Sequence, residues 1–458
     1  MSFRVPNTLA LLFFLMVAAL VATWVIPQGS FQTELNAQGR EMVIPGSFEV
    51  AEQRELMSPL ELFTAVPRAF ASASDIIFFL FIIGGVLAVI RATGTIDALL
   101  GRLLERFGKR PALLITAVIF SFALASSAVG SSGEYIPFVL ILVALCRAMR
   151  MDPMTAVAMI ICGYGVGYGV AAFNPYTVVV AQGVADLPTY SGWPVRLALL
   201  VPFVLIAVHH VWSYADRVRR DPTASVVYDD MLAEPAQPPA DYPSMHAGHV
   251  AIILGFFLAL GTAVWGIATR GWYLNELGAA FLILGLVAAA IGRLGPSRTA
   301  EKFILGAREL TETALLVGVA RGIALIMEDG QILHTIVHYL SLPLSLVGAH
   351  LSAVGMLFIQ AVLNFFIPSG SGQAFVTMPL MAPLGDLVGV SRQVSVLAYQ
   401  LGDGFTNMII PTNAILMGIL GMAGISYAKW LKFAWPLMLK LFAAAALVLV
   451  GAVWLGFE

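Results

Sequence analysis

Ser131, Ser132, Gly133 and Glu134 form a polar break in an apolar stretch, and Ser369, Gly370, Ser371, Gly372 and Gln373 form a second. Each break is followed by an apolar segment carrying Gly-x-Gly, Gly163-Tyr164-Gly165 in one case and Gly402-Asp403-Gly404 in the other. Each segment ends at an asparagine with proline nearby, Asn174-Pro175 and Pro411-Thr412-Asn413. Ser132 and Ser371, Gly133 and Gly372, Gly163 and Gly402, Gly165 and Gly404, and Asn174 and Asn413 are all related by a shift of 239 positions, 132 to 371 for the first pair. Glycine lets a ligand approach the backbone and permits positive φ. Freed N–H groups at a half-helix start attract carboxylates, while freed carbonyls and Asn or Ser oxygens hold cations. Proline beside each asparagine breaks the helical ladder there. Interrupted hydrophobic segments at matching positions of two halves point to a transporter's binding site, with a small molecule as substrate.

Three ionisable residues lie inside apolar segments, where each costs about 2.5–3.5 kcal/mol on insertion scales. They are Glu134 at the first tip, Asp403 in the second Gly-x-Gly, and Arg321 in the helix 315–327. Glu134 is placed to meet substrate, Asp403 to hold a proton or cation, and Arg321 to act as charge partner of an acid. A sodium ion is expected near Asn174 and Asn413; beyond a coupling sodium or proton, no cofactor is expected. Glu328 and Asp329 read as solvated, and His334 and His338 as structural. A protease reading rests on Gly130-Ser131-Ser132-Gly133, with Ser132 as nucleophile and His350 as the nearest base. A lone motif of this kind in a Gly/Ser-rich loop is weak, and it leaves the second tip unexplained. A channel would share the breaks without needing the repeat.

These residues must be positioned within a membrane. Of 458 residues, 59% are hydrophobic and 11% charged, against about 25% charged in typical soluble chains. A net charge of −2 gives no reason to expect a nucleic-acid partner. The two cysteines, Cys146 and Cys162, sit in apolar stretches and support neither a disulfide framework nor a zinc site. Behind Arg4, the run 9–26 is long enough to cross about 27 Å as an uncleaved helix, longer than a signal peptide's apolar core.

Lys and Arg collect on the cytoplasmic side. The acidic segment 28–56, with only Arg40 and Arg54 basic, reads as an external loop or hairpin. Arg217, Arg219 and Arg220 open a cytoplasmic linker, 217–248, and Arg293, Arg298, Lys302, Arg308, Lys429 and Lys432 also read as inside. Segment 111–148 has Arg106, Lys109 and Arg110 before it and Arg147 and Arg150 after it. Two apolar arms of about 15 residues are too short for comfortable spans, so a re-entrant hairpin from the cytoplasm is expected. Segment 346–387 lacks flanking basic residues until Arg392 and reads as a second hairpin from the opposite side. The predicted architecture is an all-α polytopic membrane protein, an inverted-repeat secondary transporter with nine full spans, two re-entrant hairpins and two broken helices. Its parts are 1–57 (first helix and external loop), 58–216 (first repeat), 217–248 (linker) and 249–458 (second half), with the N-terminus cytoplasmic and the C-terminus outside.

Residues 364–412, NFFIPSGSGQAFVTMPLMAPLGDLVGVSRQVSVLAYQLGDGFTNMIIPT, closely resemble the YfcC-like family of bacterial inner-membrane proteins. That family is related to basic amino acid antiporters and anaerobic four-carbon dicarboxylate carriers of the ion transporter superfamily. GGVLAVIRATGTIDALL at 84–100, NPYTVVVAQG at 174–183 and TWVIPQGSF at 23–31 also match. The first tip departs, with Gly133-Glu134-Tyr135 where the family has Gly-Glu-Glu. The resemblance implies a homodimer in the inner membrane, with a scaffold and an elevator-like mobile domain, and exchange or cation coupling. It implies substrate between the tips, touching 131–134, Asn174, 369–373 and Thr412-Asn413. An acid at a tip favours a basic amino acid such as arginine or ornithine. The alternative is a dicarboxylate held by Arg321 and the helix starts.

Overall fold

The computed structural model describes residues 8–35, 41–44, 46–52, 55–108, 110–174, 176–233, 243–270, 272 and 274–458. Arg4, Arg40, Arg54, Lys109 and Pro175, all used above, lie outside the described residues, as does part of the linker, 234–242. The chain begins with α1 (Thr8–Val25). The acidic segment after it folds back as antiparallel strands, β1 (Gly29–Ser30) against β4 (Glu49–Val50) and β2 (Thr33–Leu35) against β3 (Glu41–Val43), the hairpin its turn residues suggest. Phe48 of this hairpin stacks on His338, and Phe31 N–H donates to His334 Nδ1 at 3.2 Å, so both histidines are structural.

Then follow α2 (Glu61–Ser72), α3 (Ser74–Ala92), α4 (Thr95–Phe107), α5 (Pro111–Val129), α6 (Phe138–Ala148), α7 (Pro153–Gly169), α8 (Val178–Val184) and α9 (Trp193–Arg220). The linker carries α10 (Tyr228–Ala233). Beyond it lie α11 (Ala247–Arg270), α12 (Leu274–Ile291), α13 (Pro296–Glu309), α14 (Thr311–Asp329), α15 (Leu333–Ser341), α16 (Ala349–Phe366), α17 (Gly370–Val388), α18 (Arg392–Thr406), α19 (Ala414–Met422) and α20 (Tyr427–Trp454).

Several contacts between the two halves are reciprocal. α3 packs on α12 and α13, while α14 packs on α1 and α2; α17 packs on α8, and α19 on α6. The two Gly-x-Gly helices, α7 and α18, meet at the centre. Gly163 rests on Phe122 and the Ile119 carbonyl of α5, and Gly402 rests on the Leu357 carbonyl and Gln360 of α16. The second glycine of each pair faces the other half: a side chain at Gly165 would meet Met408, and one at Gly404 would meet the backbone of Gly169. The repeated glycines are therefore close-packing positions.

Local chemistry sets the ends. Asp152 caps α7 by accepting from Thr155 N–H at 2.9 Å, with Pro153 in the first turn. Its other oxygen accepts from Tyr214 and, at 2.6 Å, from Ser225 Oγ. With Lys429 paired to Asp230 at 2.6 Å, these bonds anchor the start of the linker. Gly130 ends α5 in the left-handed region, φ 76°, so the tip glycine's freedom is used there.

Among the described residues six helices, α3, α5, α9, α12, α16 and α20, are long and apolar enough to cross a membrane, and the bent pair α13–α14 (45°) makes a seventh. Shorter apolar stretches lie at Leu9–Val25, Phe138–Ala148, Pro153–Gly169 and Ala247–Thr262. The first hairpin's arms are unequal, 19 and 11 residues rather than about 15 each. The second tip shrinks to 367–369, because Gly370 to Gln373 form the first turn of α17. Arg298, Lys302 and Arg308 belong to a helix, α13.

Candidate functional site

Both tips and both helix breaks open onto one cavity of about 350 Å³. Gly130 and Ser132 come from the first tip, Pro368 to Ser371 from the second. Tyr176 comes from the break between α7 and α8, and Asn407 with Asn413, Ala414 and Ile415 from the break between α18 and α19. Tyr164 and Tyr168 of α7 and Ile76 of α3 complete the lining. Ser132, Ser369, Gly370, Ser371 and Asn413 are thus brought together as the sequence suggests.

Each tip is clamped to its own break. In the first half, Phe173 and Ala172 N–H donate to Ser127, both at 3.0 Å, and Tyr168 Oη donates to the Gly130 carbonyl at 3.1 Å. In the second, Thr412 Oγ1 donates to the Phe365 carbonyl at 2.9 Å, and Asn364 Nδ2 to the Asp403 carbonyl at 2.8 Å. Two half-helices start at the cavity, α17 behind its cap Ser369 and α19 behind its cap Asn413. Their starts carry partial positive charge.

The other expected residues lie outside the lining. Glu134 curls back so that Oε2 accepts from Ser132 N–H at 2.6 Å, and it is 3% exposed. The Ser131 carbonyl accepts from Ser126, and Gly133 packs on Leu274 of α12. Asn174 is fully buried beside Gly130, and its Oδ1 accepts from Tyr176 N–H at 2.8 Å. Asn413 Oδ1 is engaged in capping Ile415 and Leu416 N–H, both at 3.0 Å. Gln373 turns into the hairpin toward Gln360, and Gly372 N–H is capped by Ser369 Oγ. Asp403 is buried behind Gly370, reached from the cavity through Asn413 to Asn407 (2.8 Å) and Asn407 to Asp403 (3.4 Å).

Arg321 pairs with an acid, Glu328, at 3.0 Å and donates to Ser72 Oγ at 3.1 Å, on a part-exposed flank of α14 outside the cavity lining. Glu328 and Asp329 are exposed at the end of α14, and each carries a surface ion pair, Asp329 with Arg68 at 2.7 Å. The fully buried arginine is Arg196 of α9, donating to Gln400 at 2.8 Å and to Gln393 and the Ser191 carbonyl, both at 3.1 Å. The sequence reading missed Arg196, although it lies three residues into an apolar run. It also missed Tyr164 and Tyr168, whose i, i+4 spacing puts them on one helix face, together with Tyr176 and Asn407. His350, at the opposite end of α16 from the second tip, is about 24 Å along the helix from it, and so is not beside the cavity that Ser132 lines.

The family model described as "DcuC: C4-dicarboxylate anaerobic carrier" matches residues 5–454. A protein of Escherichia coli K12 named "Putative basic amino acid antiporter YfcC" is 34% identical over 99% of this chain and 97% of its own. A Haemophilus influenzae protein named only as uncharacterized is 27% identical over 99% of this chain and 96% of its own. The crystal structure of the Alcanivorax borkumensis YdaH transporter aligns over 99% of both chains at 16% identity with a TM-score of 0.43, too slight a likeness to bear on fold or function. With nearly its whole length matched, this all-α polytopic membrane protein is a transporter of the C4-dicarboxylate anaerobic carrier family.

Proposed function

We propose that the protein is a secondary transporter exchanging basic amino acids of the arginine or ornithine type. The carrying observation is the charge of the cavity: among the described residues no Lys or Arg lines it, and Glu134 lies behind its wall at the first tip, bonded to Ser132. A dicarboxylate would bring two negative charges to a site without a basic side chain. A basic amino acid would set its carboxylate against the first N–H groups of α17 and its cationic end toward Glu134 and the Tyr176 ring. The name of the Escherichia coli relative is in line with this reading. The family description favours the alternative, a sodium- or proton-coupled four-carbon dicarboxylate carrier.

In this reading the two halves are an inverted repeat, the hairpins α5–α6 and α16–α17 are re-entrant, and the domain holding them moves as an elevator. The protein sits in the bacterial inner membrane as a homodimer, with the N-terminus cytoplasmic and the C-terminus outside. Reciprocal packing of the halves supports the repeat. Liposomes preloaded with arginine or ornithine, then given labelled arginine, ornithine, lysine or succinate with and without ion gradients, test it. Uptake of a basic amino acid only against internal basic amino acid is expected. Gradient-driven succinate uptake would replace this reading with the dicarboxylate one.

A further inference from the structure

A second cavity, of about 480 Å³, lies apart from the solute site, where α3, α4 and α13 face α6 of the first hairpin and Met422 of α19. Four charged side chains line it: Arg91 of α3, Asp97 of α4, and Lys302 and Glu309 of α13. Asp97 and Lys302 are half-buried, Arg91 and Glu309 exposed. Among the described residues, none of the four makes a hydrogen bond or ion pair through its side chain. Lys302 and Glu309, two turns apart, share one face of α13 and stand about 10 Å apart along its axis. The rest of the lining is apolar, including Leu87, Leu140, Ile141 and Leu305. Leu305 is 49% exposed and Ile304 beside it 65%, so the cavity continues onto an apolar outer face of α13.

Two positive and two negative charges around one cavity suit neither a simple anion nor a simple cation, which one pair would attract and the other repel. They suit a ligand that carries both signs. The apolar wall, open to the outer face of α13, calls for a hydrocarbon chain on the same molecule. We propose that this cavity holds a phospholipid whose headgroup carries a phosphate and a primary ammonium. Arg91 and Lys302 take the phosphate in charge-assisted bonds. Asp97 and Glu309 offer carboxylates to the ammonium, and the acyl chain follows Leu87, Leu140 and Leu305. Arg91 and Asp97 also suit the dipoles at the end of α3 and the start of α4. Lys302 stands in the middle of α13, and Glu309 ends it, where the dipole disfavours an acid. Helix chemistry therefore does not account for that pair, whereas a two-signed ligand does. The lipid would lie between α13 and the hairpin arm α6.

Lipid binding is measured without transport, so this proposal stands or falls apart from the exchange reading. The full-length protein, stripped of lipid in detergent, is unfolded thermally against phospholipids of identical acyl chains bearing ethanolamine, glycerol or choline headgroups. Saturable stabilisation by the ethanolamine lipid is expected, with an apparent affinity about tenfold or more above the other two. Lys302→Gln and Asp97→Asn should each weaken that affinity by about tenfold. Their lipid-free unfolding temperatures should match wild type, since neither side chain has a partner among the described residues. Arg308→Gln, exposed on α13 outside the cavity, should bind as wild type does. Equal stabilisation by all three headgroups would overturn the proposal, as would a preference for the glycerol lipid. So would unchanged affinity in Lys302→Gln or Asp97→Asn, or an equal loss in Arg308→Gln.

Discussion

Replacing Gly404 by alanine tests the packing that holds the cavity together. The new methyl would fall on Gly169 N and Cα and lie 2.7 Å from the Tyr168 carbonyl carbon, where ordinary contact is 3.4–4 Å. All three are backbone atoms of α7, so relief requires α7 and α18 to separate by about 1 Å or more. Overpacking typically costs about 1–3 kcal/mol, and a crossing of two backbones belongs at the top of that range. Gly165→Ala is the milder comparison: the atoms nearest its methyl belong to the buried Met408 side chain, which can turn where backbone cannot, and a smaller cost of about 1–2 kcal/mol is expected. Tyr168 lines the cavity, so Gly404→Ala should also reduce amino acid exchange in liposomes at equal protein. Unfolding of the purified variants in detergent, read by tryptophan fluorescence, gives the order of stability. A Gly404→Ala protein that melts with wild type, or a Gly165→Ala protein that is the more damaged, would refute the close crossing.

Glu134→Gln keeps an oxygen for the Ser132 N–H bond while removing the charge. The variant should fold normally and lose exchange of arginine and ornithine; unchanged uptake removes Glu134 from the substrate site. Arg196→Met strands the side-chain oxygens of Gln400 and Gln393, at about 1–3 kcal/mol each. A clear fall in unfolding temperature is expected, and an unshifted one would show that the cluster bears no load. Arg321→Gln breaks a part-exposed pair worth about 1 kcal/mol or less, so exchange should stay within about twofold of wild type. A large loss there would return Arg321 to the site.

The polar breaks were legible because apolar sequence makes Ser132, Ser371 and Asn413 conspicuous, and because the fixed shift pairs them. The fold-back of 29–50 was legible, as a small loop or hairpin, from its Pro/Gly punctuation. Side-chain direction was not: Glu134 and Gln373 sit in polar breaks, yet each turns away from the cavity to satisfy a neighbour. Sequence could not show which acid Arg321 would meet: it is Glu328, two turns along α14, with Ser72 of α2 beside it. Arg196 hid because its acceptors, Gln393 and Gln400, are neutral and about two hundred residues away. Tyr164, Tyr168 and Tyr176 give no compositional signal among apolar residues, and only the spacing of the first two marked a shared face.

The central claim is that the two tips and the two breaks form one solute site. Single cysteines at Ser132 and Ser371, with Cys146 and Cys162 replaced by alanine, test it through maleimide labelling in liposomes with and without arginine. The account predicts that saturating arginine slows labelling at both positions. Labelling at either position unaffected by arginine, in protein that still exchanges it, would contradict the account.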